Sequence, residues 1–539
     1  MRVKNCQVKT ENLEAKSCSW PSSRGPGWPV DGARDDLLKA FEAMVGRAPD
    51  RPALYLKDPR TKRGEAWRYL ALSYSDLRCE RDAWAKRLRG LGVGPEDRVL
   101  LWLPCGLAMV AASHALLRMG VEVGLAEESL ALSAEEVQEQ FAPTWVIVSS
   151  AVAKRTRRAL ADRCEVLEIE SPLMRLAPGV KSSQLPSERC PSLRSDLVAF
   201  RRDTAGRARA VRFGPTQLAA MIASYRSYLG MGSADTEVVR DALSSVLWPS
   251  LGVCEVFAEA GFGLDRKTDF GDLPAVVEDL GVNRMRGTVA EWDRFLAACE
   301  AGAKTLPQVG IVFVDTDGRL DAAWIERLHR VLPAAEIWSL FGLYFAPVVA
   351  VRRWLGDGDS CDRERLGVGC LLPGLAAEVE TTDACPGGNV GALRLSGPLC
   401  GSVAAEWLET GYMAERSEEG ELLLCGRSDD VVKVPFGVFL PARCEAVFLR
   451  HENVVETRLI ALKSKAGARP AIVVAVKPGA LPKDELAESK FKAELLQLGA
   501  EAEDTKLILD FFFVERIPKL SRDALARRYG ILARIKALF

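Results

Sequence analysis

The chain has 539 residues, 48% of them hydrophobic and 7% aromatic, which is enough to build several cores and excludes disorder as the main state. Its 72 Lys and Arg against 73 Asp and Glu leave a formal net charge of -1, so no overall field draws it to nucleic acid or to an anionic membrane. The 14 cysteines include no CxxC pair and only three histidines (His114, His329, His451) accompany them, so no metal site is expected. Cysteines such as Cys254, Cys370, Cys425 and Cys444 lie in apolar runs, where a free thiol serves as a small hydrophobe.

The start, MRVKNCQVKTENLEAKSCSW, carries charges and no apolar core, so it is not a secretory signal. No run reaches the ~20 apolar residues of a membrane helix, and a cytoplasmic protein is expected. Residues 1–33, with Pro21, Pro26 and Pro29, are expected to be a flexible lead-in. From residue 35 the spacing predicts a helix, a turn at 48–52 and a short strand. A helix over 75–91, a strand over 98–103, a helix over 106–119 and a strand over 121–125 follow. Alternation of this kind implies βαβ units and a mostly parallel sheet. Residues 151–195 are the least legible. After about residue 429 the pattern predicts a strand (VVKVPFGVFL), a helix over 441–450, strands over 456–462 and 470–476, a helix over 483–498 and a strand over 507–514. That block is large enough to be a domain.

Four short segments stand apart: FRRDTAGRARAV (200–211), FGLYF (341–345), TGY (410–412) and PKLSRDALARR (518–528). With the longer stretches 72–130, 366–374, 387–398 and 422–448, they resemble the adenylate-forming superfamily of acyl-CoA synthetases, peptide-synthetase adenylation domains and luciferases. The wording of 276–295 and 439–479 is similar, within it, to the β-lactone synthetases of olefin biosynthesis. The resemblance implies an α/β fold with a large AMP-binding-like region of two α/β subdomains and a β-rich one (34–428), then a small α+β domain (429–539). An acyl pocket is implied between 247–253 and 339–343.

The resemblance also implies what each motif should do, and in each the most needed residue is replaced. The family's phosphate loop is rich in Gly, Ser and Thr and ends in lysine, because backbone amides approach a triphosphate only where side chains are small. Here Arg202, Asp203, Thr204, Gly206 and Arg209 occupy it; Asp203 would oppose an anion unless Arg202 or Arg209 pairs with it, and Arg209 stands in part for the lysine. In FGLYF, Phe341 and Gly342 keep the aromatic platform and turn, whereas Phe345 replaces the magnesium-binding glutamate and offers no oxygen. Tyr412 replaces the ribose-binding aspartate; Arg427 matches the ribose-side arginine, Asp429 the hinge and Lys433 the position after it. The catalytic lysine position falls on Ala524.

Four replacements that touch ATP, magnesium or the adenylate point to a retained fold that binds, scaffolds or regulates without a cofactor. Such a protein would take an acyl ligand, a carrier protein or an active enzyme of the same pathway as partner, with no nucleic acid and no membrane span. The alternative is a divergent acyl-CoA or carrier-protein ligase, or a β-lactone synthetase, using ATP and Mg2+. A third, acyl transfer without ATP, finds no Ser/His/Asp or Cys/His signature.

Overall fold

The computed structural model describes residues 36–536 except 59–67, 151, 171–189, 258–269, 317–319, 321, 355–365, 382–389, 402–406, 417–421, 436, 465–466, 501–504 and 519. The expected lead-in, residues 1–33, lies outside them, as does Lys519.

The predicted early elements form where the apolar spacing places them. The first helix is Leu37–Arg47, capped by Asp36, whose carboxylate accepts the Leu38 and Lys39 N–H groups. The second, Tyr74–Gly90, starts on a reciprocal box in which the Ser73 hydroxyl and the Asp76 carboxylate each accept the other's N–H. Strands Arg98–Trp102 and Glu122–Ala126 flank helix Leu107–Met119, apolar on every side and buried over most of its length.

Among the described residues the large region contains two α/β sheets. One has six strands in the order Glu165–Ile169, Trp145–Ser149, Arg98–Trp102, Glu122–Ala126, Leu197–Arg202, Ala208–Phe213; the first five are parallel and the last is antiparallel. The other has nine, with a parallel centre (Glu336–Phe341, Ile311–Asp315, Arg284–Thr288, Thr236–Val238, Cys254–Phe257, Pro52–Lys57) and antiparallel edges. One continuous core joins them, from Leu54 and Val99 through helix Ala242–Leu251 to Phe341 and Phe345. A five-stranded antiparallel sheet, in the order Leu366–Gly367, Leu422–Arg427, Leu408–Arg416, Gly391–Ser396, Ala376–Thr381, supplies the β-rich part. This mixed α/β architecture is the expected fold class.

Beyond residue 431 a three-stranded sheet (Val454–Ser464, Gly467–Val476, Asp510–Val514) carries helices on both faces. The single strand expected for VVKVPFGVFL is instead a hairpin, Val432–Val434 against Gly437–Phe439. Pro435 lacks the N–H that an uninterrupted ladder uses, so the chain turns there. The short illegible stretch before residue 170 holds helix Lys154–Ala161 and strand Glu165–Ile169.

Cys254, Cys425 and Cys444 are buried and in no disulfide, as expected. Cys370 is not: it is half-buried and disulfide-bonded. Among the described residues no helix is long and apolar enough to cross a membrane.

Candidate functional site

The carboxyl ends of the parallel strands in both large sheets face one cleft, the position at which α/β sheets bind ligands. Its volume is about 460 Å³, and its walls include Glu127, Arg201, Asp241, Arg286, Asp315 and Tyr344. Of the residues singled out in the sequence, Arg202, Phe341, Gly342 and Tyr412 also line it.

Phe341 ends strand Glu336–Phe341 and meets Tyr412 edge-on, with ring centroids 5.4 Å apart and planes at 85°. The two rings thus form one wall. Gly342 follows where the chain folds back so tightly that a Cβ would strike the Pro347 carbonyl, and the turn is closed by Leu343 N–H donating to the Ala346 carbonyl at 2.8 Å. That turn carries Phe345 away from the cleft. Its side chain is 1% exposed, edge-on to Tyr344, and its carbonyl accepts Gly401 N–H at 2.7 Å.

The phosphate-loop segment is a closed hairpin turn between strands Leu197–Arg202 and Ala208–Phe213. Asp203 is its keystone. One carboxylate oxygen accepts the N–H of Ala205 (3.0 Å) and of Arg207 (2.8 Å), and the other accepts Arg207 Nε (3.0 Å) and Arg209 Nε (3.1 Å). Burial opposes ionisation, but the Arg207 N–H and the Arg209 and Arg207 guanidiniums hold Asp203 below the usual carboxylate range. Gly206 N–H is also used, donating to the Asp203 carbonyl at 2.9 Å.

This arrangement meets one expectation, the pairing of Arg209 with Asp203, and departs from two others. Arg202 does not pair with Asp203; it donates to the carbonyls of Gly206 (2.8 Å) and Leu130 (3.1 Å), tying the turn to the loop after strand Glu122–Ala126. Arg209 is held by Asp203 and does not line the cleft in the place of a lysine. Arg207, which the motif did not single out, completes the clamp because a tight turn brings residues four apart together. Thr204, at the tip, lies against Gly411 of the TGY segment.

The remaining sequence candidates do not converge on the cleft. Arg427 is register-paired with Tyr412, its Nε buried with no acceptor among the described residues. Asp429 is exposed in a short 3-10 turn, Ser428–Asp430, and Lys433 is exposed on the next strand. Ala524 sits in the first turn of helix Arg522–Lys536, whose Leu525 and Tyr529 pack on Ile460 and Leu462. The nearby Arg522 donates to Glu445 and to the Leu459 carbonyl (2.9 Å), so it is built into the small sheet.

The acyl pocket was expected between 247–253 and 339–343. The cleft uses Leu340–Leu343 but takes only the amino end of helix Ala242–Leu251, with Asp241, Ala242 and Leu243; residues 247–251 and 253 are core.

The charged residues of the cleft went unrecognised in the sequence. Arg286 donates Nε to both Asp315 oxygens (2.9 and 3.0 Å), and Nη2 makes a 2.7 Å ion pair with the same carboxylate. Although burial opposes it, Asp315 keeps Arg286 firmly protonated. Glu127 accepts Ala242 N–H at 3.1 Å; burial first, then Asp241, raises its affinity for a proton. Arg201 Nη1 is buried with no acceptor among the described residues. A usable signal existed for three of them: Glu127, Arg201 and Asp315 stand at or just past the carboxyl ends of strands Glu122–Ala126, Leu197–Arg202 and Ile311–Asp315, whereas Arg286 is the middle residue of strand Arg284–Thr288.

A family model described as "AMP-binding enzyme" matches residues 41–196. The chain is 24% identical over 280 residues to 4-coumarate–CoA ligase-like 3 of Oryza sativa subsp. japonica, covering 49% of this chain and 46% of that one. It is 28% identical over 289 residues to an acyl-CoA ligase of Alternaria alternata, 48% of each. It thus spans about half the length of these curated relatives. Among solved structures, ATP-bound MatB from Rhodopseudomonas palustris superposes with a TM-score of 0.67 at 16% identity, over 92% of this chain and 99% of that one. MenE from Bacillus subtilis, in complex with ATP and magnesium, gives 0.64 at 17% identity over 90% and 98%. At these identities the likeness is one of fold.

Proposed function

Since the chain belongs to the adenylate-forming superfamily, we propose that it is a catalytically degenerate AMP-dependent synthetase/ligase homologue, acting as a binding, scaffolding or regulatory partner in an acyl-processing or natural-product pathway. The observation that carries this reading is the Asp203 clamp. Two loop amides and two guanidiniums, the kind of donor set a polyphosphate would need, already surround an internal carboxylate.

Mg-ATP does not fit the remaining residues either. Phe345, at the position the resemblance assigns to magnesium, supplies no oxygen and is buried away from the cleft. Ala524 offers no charge to a developing anion.

What stays open is the polar cleft, with the uncommitted Arg201 Nη1 in its wall. That feature supports a small acyl ligand, with its acid group on Arg201 and its apolar body against Leu125, Leu340 and Phe341. It is also the one observation that favours the second reading, a divergent acyl-CoA or carrier-protein ligase or β-lactone synthetase with relocated groups.

Calorimetric titration with Mg-ATP, run beside an acid-dependent pyrophosphate-release assay, tests the two. The first reading expects no heat at millimolar ATP and no release. Release that depends on an added carboxylic acid would replace it with the second.

A further inference from the structure

The centre of the nine-stranded sheet contains a charged row that the cleft does not use. Strand Thr236–Val238 sets Glu237 directly opposite Glu255 on one side and Arg284 on the other. Their exposures are 5%, 0% and 1%, so all three lie in the interior. Both carboxylate oxygens of Glu255 and one of Glu237 lack a donor among the described residues, and Arg284 Nε and Nη1 lack an acceptor. Arg284 is drawn the other way, with Nη2 donating to the Leu229 carbonyl at 2.9 Å and Nε 3.6 Å from an Asp235 oxygen.

Neighbouring strands are about 4.8 Å apart, so directly opposed side chains on one face are in reach of each other. Two ionised carboxylates at that spacing, out of water, would add mutual repulsion to two desolvation costs. One retained proton removes the repulsion and supplies the missing donor, an O–H from one carboxyl to the other. We propose that Glu237 and Glu255 are a proton-sharing carboxyl pair that acts as a pH-sensitive lock on the central sheet, closed when the proton is held and loosened when it leaves.

The surroundings favour the protonated state. Burial, then Glu237 and Asp241, raises Glu255 well above the ordinary carboxylate value. Burial pushes Glu237 up to about 7, with Arg284, Arg286 and the indole N–H of Trp248 opposing and Asp235 reinforcing. From another element, Tyr74 feels Glu255: burial first, then Glu255 and Cys254, raise its hydroxyl, and Arg51 opposes; the neighbouring Cys254 thiol, on the other face of the same strand, is raised by burial and by Glu255 and lowered by Arg51. Asp241 is the cap of helix Ala242–Leu251 and also a wall of the cleft, so the lock lies electrostatically next to the ligand space.

The sign follows from linkage. The unfolded chain releases these protons near 4.5, while the folded chain keeps at least one to higher pH. The stabilisation is thus full below about pH 4.5 and is lost as pH rises through the folded value. Glu255→Gln mimics the protonated carboxyl and abolishes the loss. In denaturant unfolding of the full chain, the ratio of variant to wild-type folding constants should be flat below pH 4.5 and then rise with pH, by up to about tenfold per pH unit, until Glu255 has lost its proton in the folded chain. Infrared spectra of the folded wild type at pH 7 should show a buried protonated carboxyl band that Glu255→Gln removes. A flat ratio from pH 4.5 to 8, or no such band in the wild type, overturns the proposal. Should Glu255→Gln not fold, Glu237→Gln and the wild-type spectrum decide the matter alone.

Discussion

Thr204 at the tip of the 203–207 turn and Gly411 in strand Leu408–Arg416 are in direct contact: a Cβ at Gly411 would run into Thr204 Oγ1. Gly411 also holds φ at 77°, a left-handed value that costs any other residue strain. The contact shuts the hairpin against the β-rich sheet. Gly411→Ala should therefore lower stability by about 1–3 kcal/mol in thermal or denaturant unfolding. The double variant with Thr204→Ala should recover the clash but not the backbone strain. A single Gly411→Ala as stable as wild type would mean the seal is loose.

Asp203 holds the turn by accepting four hydrogen bonds with a side chain only 7% exposed. Asp203→Gly should cost about 1–2 kcal/mol, because the arginines it pairs with are largely solvated and their share is screened. It should also free the Ala205 and Arg207 amides and both guanidiniums for an anion. Titration with inorganic pyrophosphate should give measurable binding in the variant and none in the wild type. Equal binding in both would show that Asp203 does not obstruct the site.

Tyr412→Asp and Ala524→Lys together restore two family residues but should not restore adenylation. The Asp203 clamp and the buried Phe345 remain, and groups that act on one transition state do not contribute independently. Acid-dependent pyrophosphate release should stay at background. Tyr412→Asp alone should lose about 0.5–1.5 kcal/mol of stability with its edge contact to Phe341.

His114 is 1% exposed and its Nε2 lies 2.9 Å from the Val246 carbonyl, a bond it donates as the Nε2–H tautomer. Burial lowers its proton affinity to about 4, with the bond to Val246 opposing and Arg81 adding to the shift. A depressed folded value means the contribution is present above the unfolded value of about 6.5 and is lost as pH falls towards 4. Up to about 3 kcal/mol should disappear over that window. His114→Gln should flatten this acid limb of the stability profile, and an unchanged limb would assign the loss to other groups.

A fixed orientation of the C-terminal region is expected from its contacts. Val431, Val438 and Leu440 pack with Val390, Met413 and Cys425 of the β-rich sheet, and Arg443 donates to Glu415 at 3.0 Å. Brief proteolysis of the native protein should leave residues 425–435 intact. Rapid cleavage there would indicate a swinging hinge.

The alternation of apolar runs with Gly and Pro turns was enough to place the early βαβ elements and the final α+β block, since those patterns are local. Residue type alone also carried the expectation at Phe345, Tyr412 and Ala524, whose side chains offer neither a carboxylate nor an ammonium group where the resemblance implies one. What required the tertiary structure was every relation between distant strands. The pairing of Glu237 with Glu255 follows from strand order, and the gathering of Glu127, Arg201, Arg286 and Asp315 follows from how the two large sheets meet at one cleft. The role of Asp203 was likewise invisible as a motif: a carboxylate in a phosphate loop reads as an obstacle until the turn closes and four donors converge on it. Periodicity reports which side chains leave water, whereas partner choice is fixed by long-range register and packing, which no local window contains.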